Sequence, residues 1–173
     1  MDLFEAIKTR QSVRAYQNKE VEDAKLQTLL AAVDQAPSAG NLQAYQIYLV
    51  RDLKLKQALA KAALDQQSLT QAPLVLVFCA DQIRASVRYR DRGEQLYSVQ
   101  DATVAVAYAQ LAATALGLAT CWIGAFDEGQ IAKIMELPRG ERPVAMLPIG
   151  YAAETPARTP RRVLTEIVIE KKG

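Results

Sequence analysis

Apolar residues near the start of the chain recur with the period of a helix. Leu3, Ala6 and Ile7 share a face behind Asp2, a residue type that caps helix starts, and the period is lost in the polar run Arg10-Gln11-Ser12-Val13-Arg14. Leu26, Leu29, Leu30 and Val33 repeat the spacing and predict a second helix over 22–36, which Pro37 ends. Turn-forming residues from Pro37 to Asn41 then lead into an expected strand, Tyr45 to Val50. Helical spacing returns over 52–64 through Leu55, Leu59 and Ala62, and a further short helix is expected before Pro73. Leu74 to Cys79 is apolar at every position, which suits a central strand covered on both faces.

The second half is less regular. Asp81 to Gln95 carries Arg84, Arg88, Arg90 and Arg92 with few core residues, and reads as a mobile or variable surface segment. Gln100 to Leu116 is rich in alanine and apolar on nearly every face, the pattern of a buried central helix, with Gly117 as its stop. A strand over 118–123, a helix from about the capping residue Asp127 and a strand over 144–149 complete the compact part. Beyond Gly150 a segment rich in proline and arginine leads to Val163–Ile169, a strand-like tail that needs an edge to pair with. The sequence predicts a single α+β domain over 1–173, a mostly antiparallel sheet sandwiched by helices with 152–173 as an extended arm. Such an arm is suited to exchange between subunits.

Composition narrows the chemistry. The 173 residues are half hydrophobic, enough for one real core, and the net charge of +2 gives no whole-molecule field for nucleic acid or a membrane surface. Recognition of a phosphate must therefore be local. The N-terminus has no apolar run of secretory length, so cytoplasmic residence is expected. The apolar stretch 96–123 contains Gln100, Asp101 and Gln110, and an aspartate at bilayer depth costs about 3 kcal/mol, so it reads as a buried soluble helix. Cys79 and Cys121 lie in separate apolar runs and are expected to be reduced core residues. Histidine is absent, which removes imidazole-based nucleophile pairs and imidazole metal sites and favours chemistry borrowed from a bound cofactor.

No G-x-G pattern or phosphate-loop lysine occurs among the eight glycines. Arg10, Ser12 and Arg14 alternate in a non-helical stretch, which turns two guanidiniums and a hydroxyl to one side, a suitable shell for a phosphate and its polyol. The loop Pro37-Ser38-Ala39-Gly40-Asn41-Leu42-Gln43 gathers small residues, amides and a hydroxyl that suit a flat polar ring.

In chain order, five segments resemble the nitroreductase family of FMN enzymes, over essentially the whole length. Arg10-Gln11-Ser12-Val13-Arg14-Ala15-Tyr16 is similar to its R-x-S-x-R-x-[FY] element, and Pro37 to Gln43 to its P-S-x-x-N-x-Q loop. Asp101 to Leu118 resembles its long central helix with a G-L step, Thr120 to Gly124 the strand end that follows, and Pro148-Ile149-Gly150-Tyr151 the later strand before a basic segment. Ala44 and Tyr45 depart from the proline and tryptophan that often follow the loop glutamine.

The resemblance implies a non-covalently bound FMN at each of two sites in a homodimer interface. Arg10, Gln11, Ser12 and Arg14 would contact its phosphate, ribityl chain and pyrimidine edge, and Arg161 or Arg162 would complete the phosphate clamp. Pro37, Ser38, Ala39, Asn41 and Gln43 would come from the other subunit, while Trp122, Ile123 and Gly124 lie against the ring and offer a backbone amide to N5. The implied reaction is ping-pong, with hydride passing from NADH or NADPH to flavin N5 and then to a nitroaromatic, quinone or similar small-molecule acceptor. Arg14 would stabilise charge near N1, and no side chain serves as a catalytic acid, base or metal ligand. Within the same fold, flavin reduction, enoate or dehalogenating reduction and oxidative tailoring are alternatives. A non-catalytic module using the basic clusters for docking is the alternative from another class, and it predicts binding that weakens steeply with salt.

Overall fold

The computed structural model describes every residue except Lys172, which leaves that one position of the expected arm outside the described residues. Four strands, β1 (Tyr45–Val50), β2 (Leu74–Asp81), β3 (Ala119–Thr120) and β4 (Glu141–Gly150), form an antiparallel sheet in the order β1-β2-β4-β3. The helices are α1 (Leu3–Thr9), α2 (Asp23–Asp34), α3 (Leu53–Ala62), α4 (Ser68–Gln71), α5 (Gln82–Arg92), α6 (Ser98–Ala115) and α7 (Glu128–Ile134). None is long and apolar enough to cross a membrane, among the described residues.

Strand alternation decides the layers. Leu74, Leu76 and Phe78 of β2 and Ala145, Leu147 and Ile149 of β4 share a cluster with Leu26, Leu29 and Val33 of α2 and Ala105, Val106, Ala109 and Ala113 of α6. Val75, Val77, Cys79 and Met146 instead share one with Leu59 and Ala60 of α3 and Ile131 of α7. β2 is buried from Leu74 to Ala80, as a continuous apolar run requires when both faces are covered. Leu29 and Leu59 have no exposed surface, and truncating either to alanine would cost about 2–5 kcal/mol.

Asp2, Asp52 and Asp127 each cap the helix they precede by accepting a backbone N–H bond, and Gly117 ends α6 with φ +73°, a conformation that favours glycine. Both cysteines are free and buried, and burial pushes the Cys79 thiol up to about 12.

Four expectations need correction. The strand expected over 118–123 shrinks to Ala119–Thr120 plus an isolated pairing of Ile123 with Met146 in the same register, because the residue opposite Cys121 is Pro148, which has no N–H to give the ladder. β4 begins at Glu141 rather than after Pro143. The proline is accommodated beside a register shift at Phe78/Cys79, where its missing N–H costs the ladder little. The arginine-rich stretch, expected only as a surface segment with little core, has regular structure: it is α5, capped by Asp81, followed by a π-turn over Gly93–Tyr97 that runs into α6. Val163–Ile169 forms no strand. It holds a 3-10 turn, Leu164–Glu166, with every side chain from Val163 to Ile169 exposed, since this chain brings no sheet edge to it.

Candidate functional site

Two backbone ladders build a cleft around the segment that follows α1. On one side Ser12 bridges Thr120 in parallel, and the Val13 amide donates to the Thr120 carbonyl at 3.0 Å. On the other, the chain leaving β4 runs antiparallel to residues 15–17. Ala153 N donates to Ala15 O at 2.9 Å and Gln17 N to Tyr151 O at 2.8 Å. The Glu154 carboxylate accepts from the Arg14 and Ala15 amides at 2.5 and 3.1 Å. Val13 and Tyr16 are buried as the anchors of this strip. The Tyr16 hydroxyl donates towards the Val13 and Pro148 carbonyls, and desolvation drives its pKa far above the usual phenol value.

With Val13 anchored inward, Arg10, Ser12 and Arg14 line a cleft of about 690 Å³ between this segment and residues 156–161 of the arm. Lys8, Arg158 and Arg161 line it too, so among the described residues five cationic side chains face one space that no carboxylate lines. Gln11 ties the two walls together. In the amide orientation that satisfies both groups, it donates to Pro156 O at 2.9 Å and accepts from Arg158 Nε at 3.2 Å. Like charges held this close repel, and a bound dianion removes that cost while gaining charge-assisted hydrogen bonds.

Arg10, Gln11, Ser12, Arg14 and Arg161 therefore come together as expected. Arg162 does not join them: it turns to Glu166, with Nε 3.4 Å from the carboxylate. Sequence reasoning missed Arg158 and Lys8. Arg158 was visible only as part of a basic, proline-rich stretch, and its role depends on the arm folding back along residues 15–17.

Trp122 is half-buried against the α2/α6 face of the sheet. The Ile123 side chain is buried and its amide donates to Met146 O at 2.9 Å, so that N–H is already used. Gly124 is exposed, and its amide meets no backbone acceptor among the described residues. The Trp122 amide likewise meets no backbone acceptor among the described residues. Cys121 lies against Ser12. Burial pushes its thiol up, against the opposing pull of Arg14, Ser12 and Arg10.

Pro37, Ser38, Ala39, Asn41 and Gln43 do not line this cleft in the same chain. They form a separate tight loop containing a 3-10 turn, Ala39–Asn41, with left-handed backbone at Gly40, Asn41 and Gln43.

The profile of the nitroreductase family matches residues 7–84 and 60–151, which span the cleft-forming segment, the loop and the whole sheet. The chain belongs to the nitroreductase family. It is 31% identical to an FMN reductase (NAD(P)H) of Bacillus subtilis, over 92% of this chain and 70% of that protein. It is 30% identical to an NADH dehydrogenase of Thermus thermophilus, over 98% and 96% of the two chains. The solved structure of NfrA2 from B. megaterium superposes with a TM-score of 0.91 at 29% identity, covering 99% of this chain and 75% of that one. The nitroreductase fold expected from the five segments, antiparallel sheet and flanking helices together, is the fold observed.

Proposed function

We propose that this nitroreductase-family chain is an FMN-dependent oxidoreductase that passes two electrons from NADH or NADPH to an organic acceptor of nitroaromatic or quinone type, and that it works as a cytoplasmic homodimer. The observation that carries the reading is the cleft in which, among the described residues, five cations face a space that no carboxylate lines. Its donor set fits FMN: guanidiniums of Arg10, Arg158 and Arg161 for a phosphate dianion, and the Gln11 amide and Ser12 hydroxyl for the ribityl chain. Trp122 and the Gly124 amide would meet its ring. FMN, when bound, supplies the two-electron transfer between donor and acceptor. The protein's part is to hold the cofactor, leave one ring face open and balance charge. Arg14, on the same wall, would balance the negative charge of the reduced cofactor.

A second copy is needed on two counts. The loop from Pro37 to Gln43 lies outside the cleft of its own chain, as a loop serving the partner's cofactor would. Leu3, Phe4 and Ile7 of α1 are 61, 80 and 52% exposed, and Val163, Leu164, Ile167, Val168 and Ile169 are exposed in the arm, apolar surface that a partner would cover. Exchange of the arm, with 163–169 pairing as a strand on the partner's sheet edge, gives that segment the edge it lacks here. A second reading, reduction of free flavin, is favoured by the name of the B. subtilis relative.

The test is the visible spectrum of the purified protein. Flavin bands that bleach on anaerobic addition of NADH or NADPH and return with an acceptor are expected. Protein that stays colourless after incubation with FMN overturns the reading. Steady-state rates with nitroaromatic, quinone and free flavin acceptors separate the two acceptor classes, and sedimentation gives the subunit number.

A further inference from the structure

The loop from Ser38 to Gln43 is held in an unfavourable conformation from two sides. Gly40 and Asn41 have φ +56° and Gln43 has φ +49°, so two of its three left-handed positions carry a side chain rather than glycine's hydrogen. Internal bonds close the loop, with Gln43 N donating to Ser38 Oγ at 2.9 Å and Asn41 N to Ser38 O at 3.0 Å. The external bonds are of two kinds. From beneath, Asp101 of α6 accepts the Ala39 amide at 2.8 Å through Oδ1. From the flank, α5 supplies donors: Arg84 Nε donates to Leu42 O at 2.5 Å and Arg88 to Gly40 O at 3.3 Å. Tyr89 of α5 closes over the same place, since a Cβ on Gly40 would lie 2.5 Å from its hydroxyl.

Asp101 is an unusual group to find there. It is 4% exposed, has no ion-pair partner among the described residues, and its Oδ2 is buried without a hydrogen bond. Burial pushes its pKa up, and the Ala39 and Ala44 amides pull it back down. A buried carboxylate without a cation is costly, and a charge-assisted bond to a loop amide is what it returns.

We propose that Asp101, Arg84 and Arg88 are positioning residues that preform the Ser38–Gln43 loop for the flavin ring of the partner subunit, an anion gripping loop N–H and two guanidiniums gripping loop C=O. This deepens the flavin reading above and rests on it. It also gives the arginine-rich α5 a purpose: Arg84 and Arg88 are directed at backbone carbonyls of the loop.

The experiment compares FMN with riboflavin, which lacks the phosphate, in fluorescence-quenching titrations of flavin-stripped dimer. Asp101→Ala is expected to weaken both ligands by the same factor, tenfold or more, and Asp101→Asn, which keeps an acceptor for Ala39, to recover most of the loss. Arg84→Ala is expected to weaken both about threefold to fivefold. Hydrogen exchange on the same variants, measured without flavin, should quicken over 38–44 and stay unchanged in β2 and β4. The proposal is overturned if Asp101→Ala binds both flavins within twofold of wild type, if it weakens FMN alone, if Asp101→Asn is no better than Asp101→Ala, or if loop exchange is unaltered. Wild-type protein that binds neither flavin overturns the flavin reading itself, whereas the exchange data still decide whether these residues hold the loop. Arg84→Ala, at a half-open surface position, supplies the answer if Asp101→Ala does not fold.

Discussion

The cleft and the loop assigned to the two ends of one cofactor are built in different ways. The cleft is side-chain chemistry: Arg10 and Arg14 project from the segment bridged to Thr120, Arg158 and Arg161 from the arm beyond its pairing with residues 15–17, and the selecting quantity is charge. The loop is backbone chemistry: left-handed residues expose their amides and carbonyls, and remote side chains bind those groups to keep them in place. An ion-binding wall tolerates movement of its long side chains because Coulomb attraction falls slowly with distance, whereas a ring-gripping loop fails if one peptide turns. The contrast predicts that damage at the cleft discriminates between phosphorylated and unphosphorylated ligands and damage at the loop does not.

The largest effect expected is at the cleft. Arg10→Ala and Arg161→Ala together should weaken FMN by at least 100-fold, at about 1.5–3 kcal/mol for each charge-assisted hydrogen bond removed, and leave riboflavin nearly unaffected. Equal losses for both ligands in a titration would erase the distinction between the two regions. Gly40→Ala comes next. It forces a side chain into a left-handed position against Tyr89 and Arg88, and a destabilisation of about 1–2 kcal/mol should appear as a lower denaturation midpoint, with both flavins weakened together.

Glu154→Ala removes the acceptor of the Arg14 and Ala15 amides and should loosen the arm from residues 15–17. A loss of about 1 kcal/mol, faster proteolysis after Tyr151 and a moderate weakening confined to FMN are expected. The smallest effect is the pH dependence carried by Asp101. Its folded pKa is raised, so the stability linked to its protonated form is present below about pH 4 and is lost as pH rises through the folded value. Melting curves of wild type minus Asp101→Asn should therefore fall across that interval, and a flat difference would show that the carboxylate is not desolvated as the fold implies.

Much of the body was legible because burial writes a period into the chain. β1 falls where its apolar run falls, α2 and α3 lie within the predicted spans, and the caps at Asp2 and Asp127 appear as read. α5 was not legible for the opposite reason. Among its residues only Ala85 is buried, and the helix is stabilised by the Asp81 cap and by bonds from its arginines to a distant loop, neither of which makes an apolar stripe. The shortening of β3 and the early start of β4 turn on pairing partners, and pairing is non-local. At the cleft, Arg10, Gln11, Ser12 and Arg14 share one short extended segment and could be read together, whereas the facing of Arg158 and Arg161 into it, with Arg162 turned to Glu166, depends on which way the arm turns.

By itself, the sequence determined the layers, the buried central strand, the cationic segment after the first helix, the small-residue loop and, through five ordered motifs, the family. These are local patterns or fixed residue types, and they need no knowledge of what lies across a fold. Only the tertiary structure decided that the arm returns along residues 15–17 to close a cleft, that the Ile123 amide is spent on Met146, and that Asp101 and Arg84 meet one loop from opposite sides. Each of those depends on groups 40 or more residues apart becoming neighbours, except the Ile123 pairing, which spans about half that distance, and in every case on the closure of a loop whose ends carry no mark of each other.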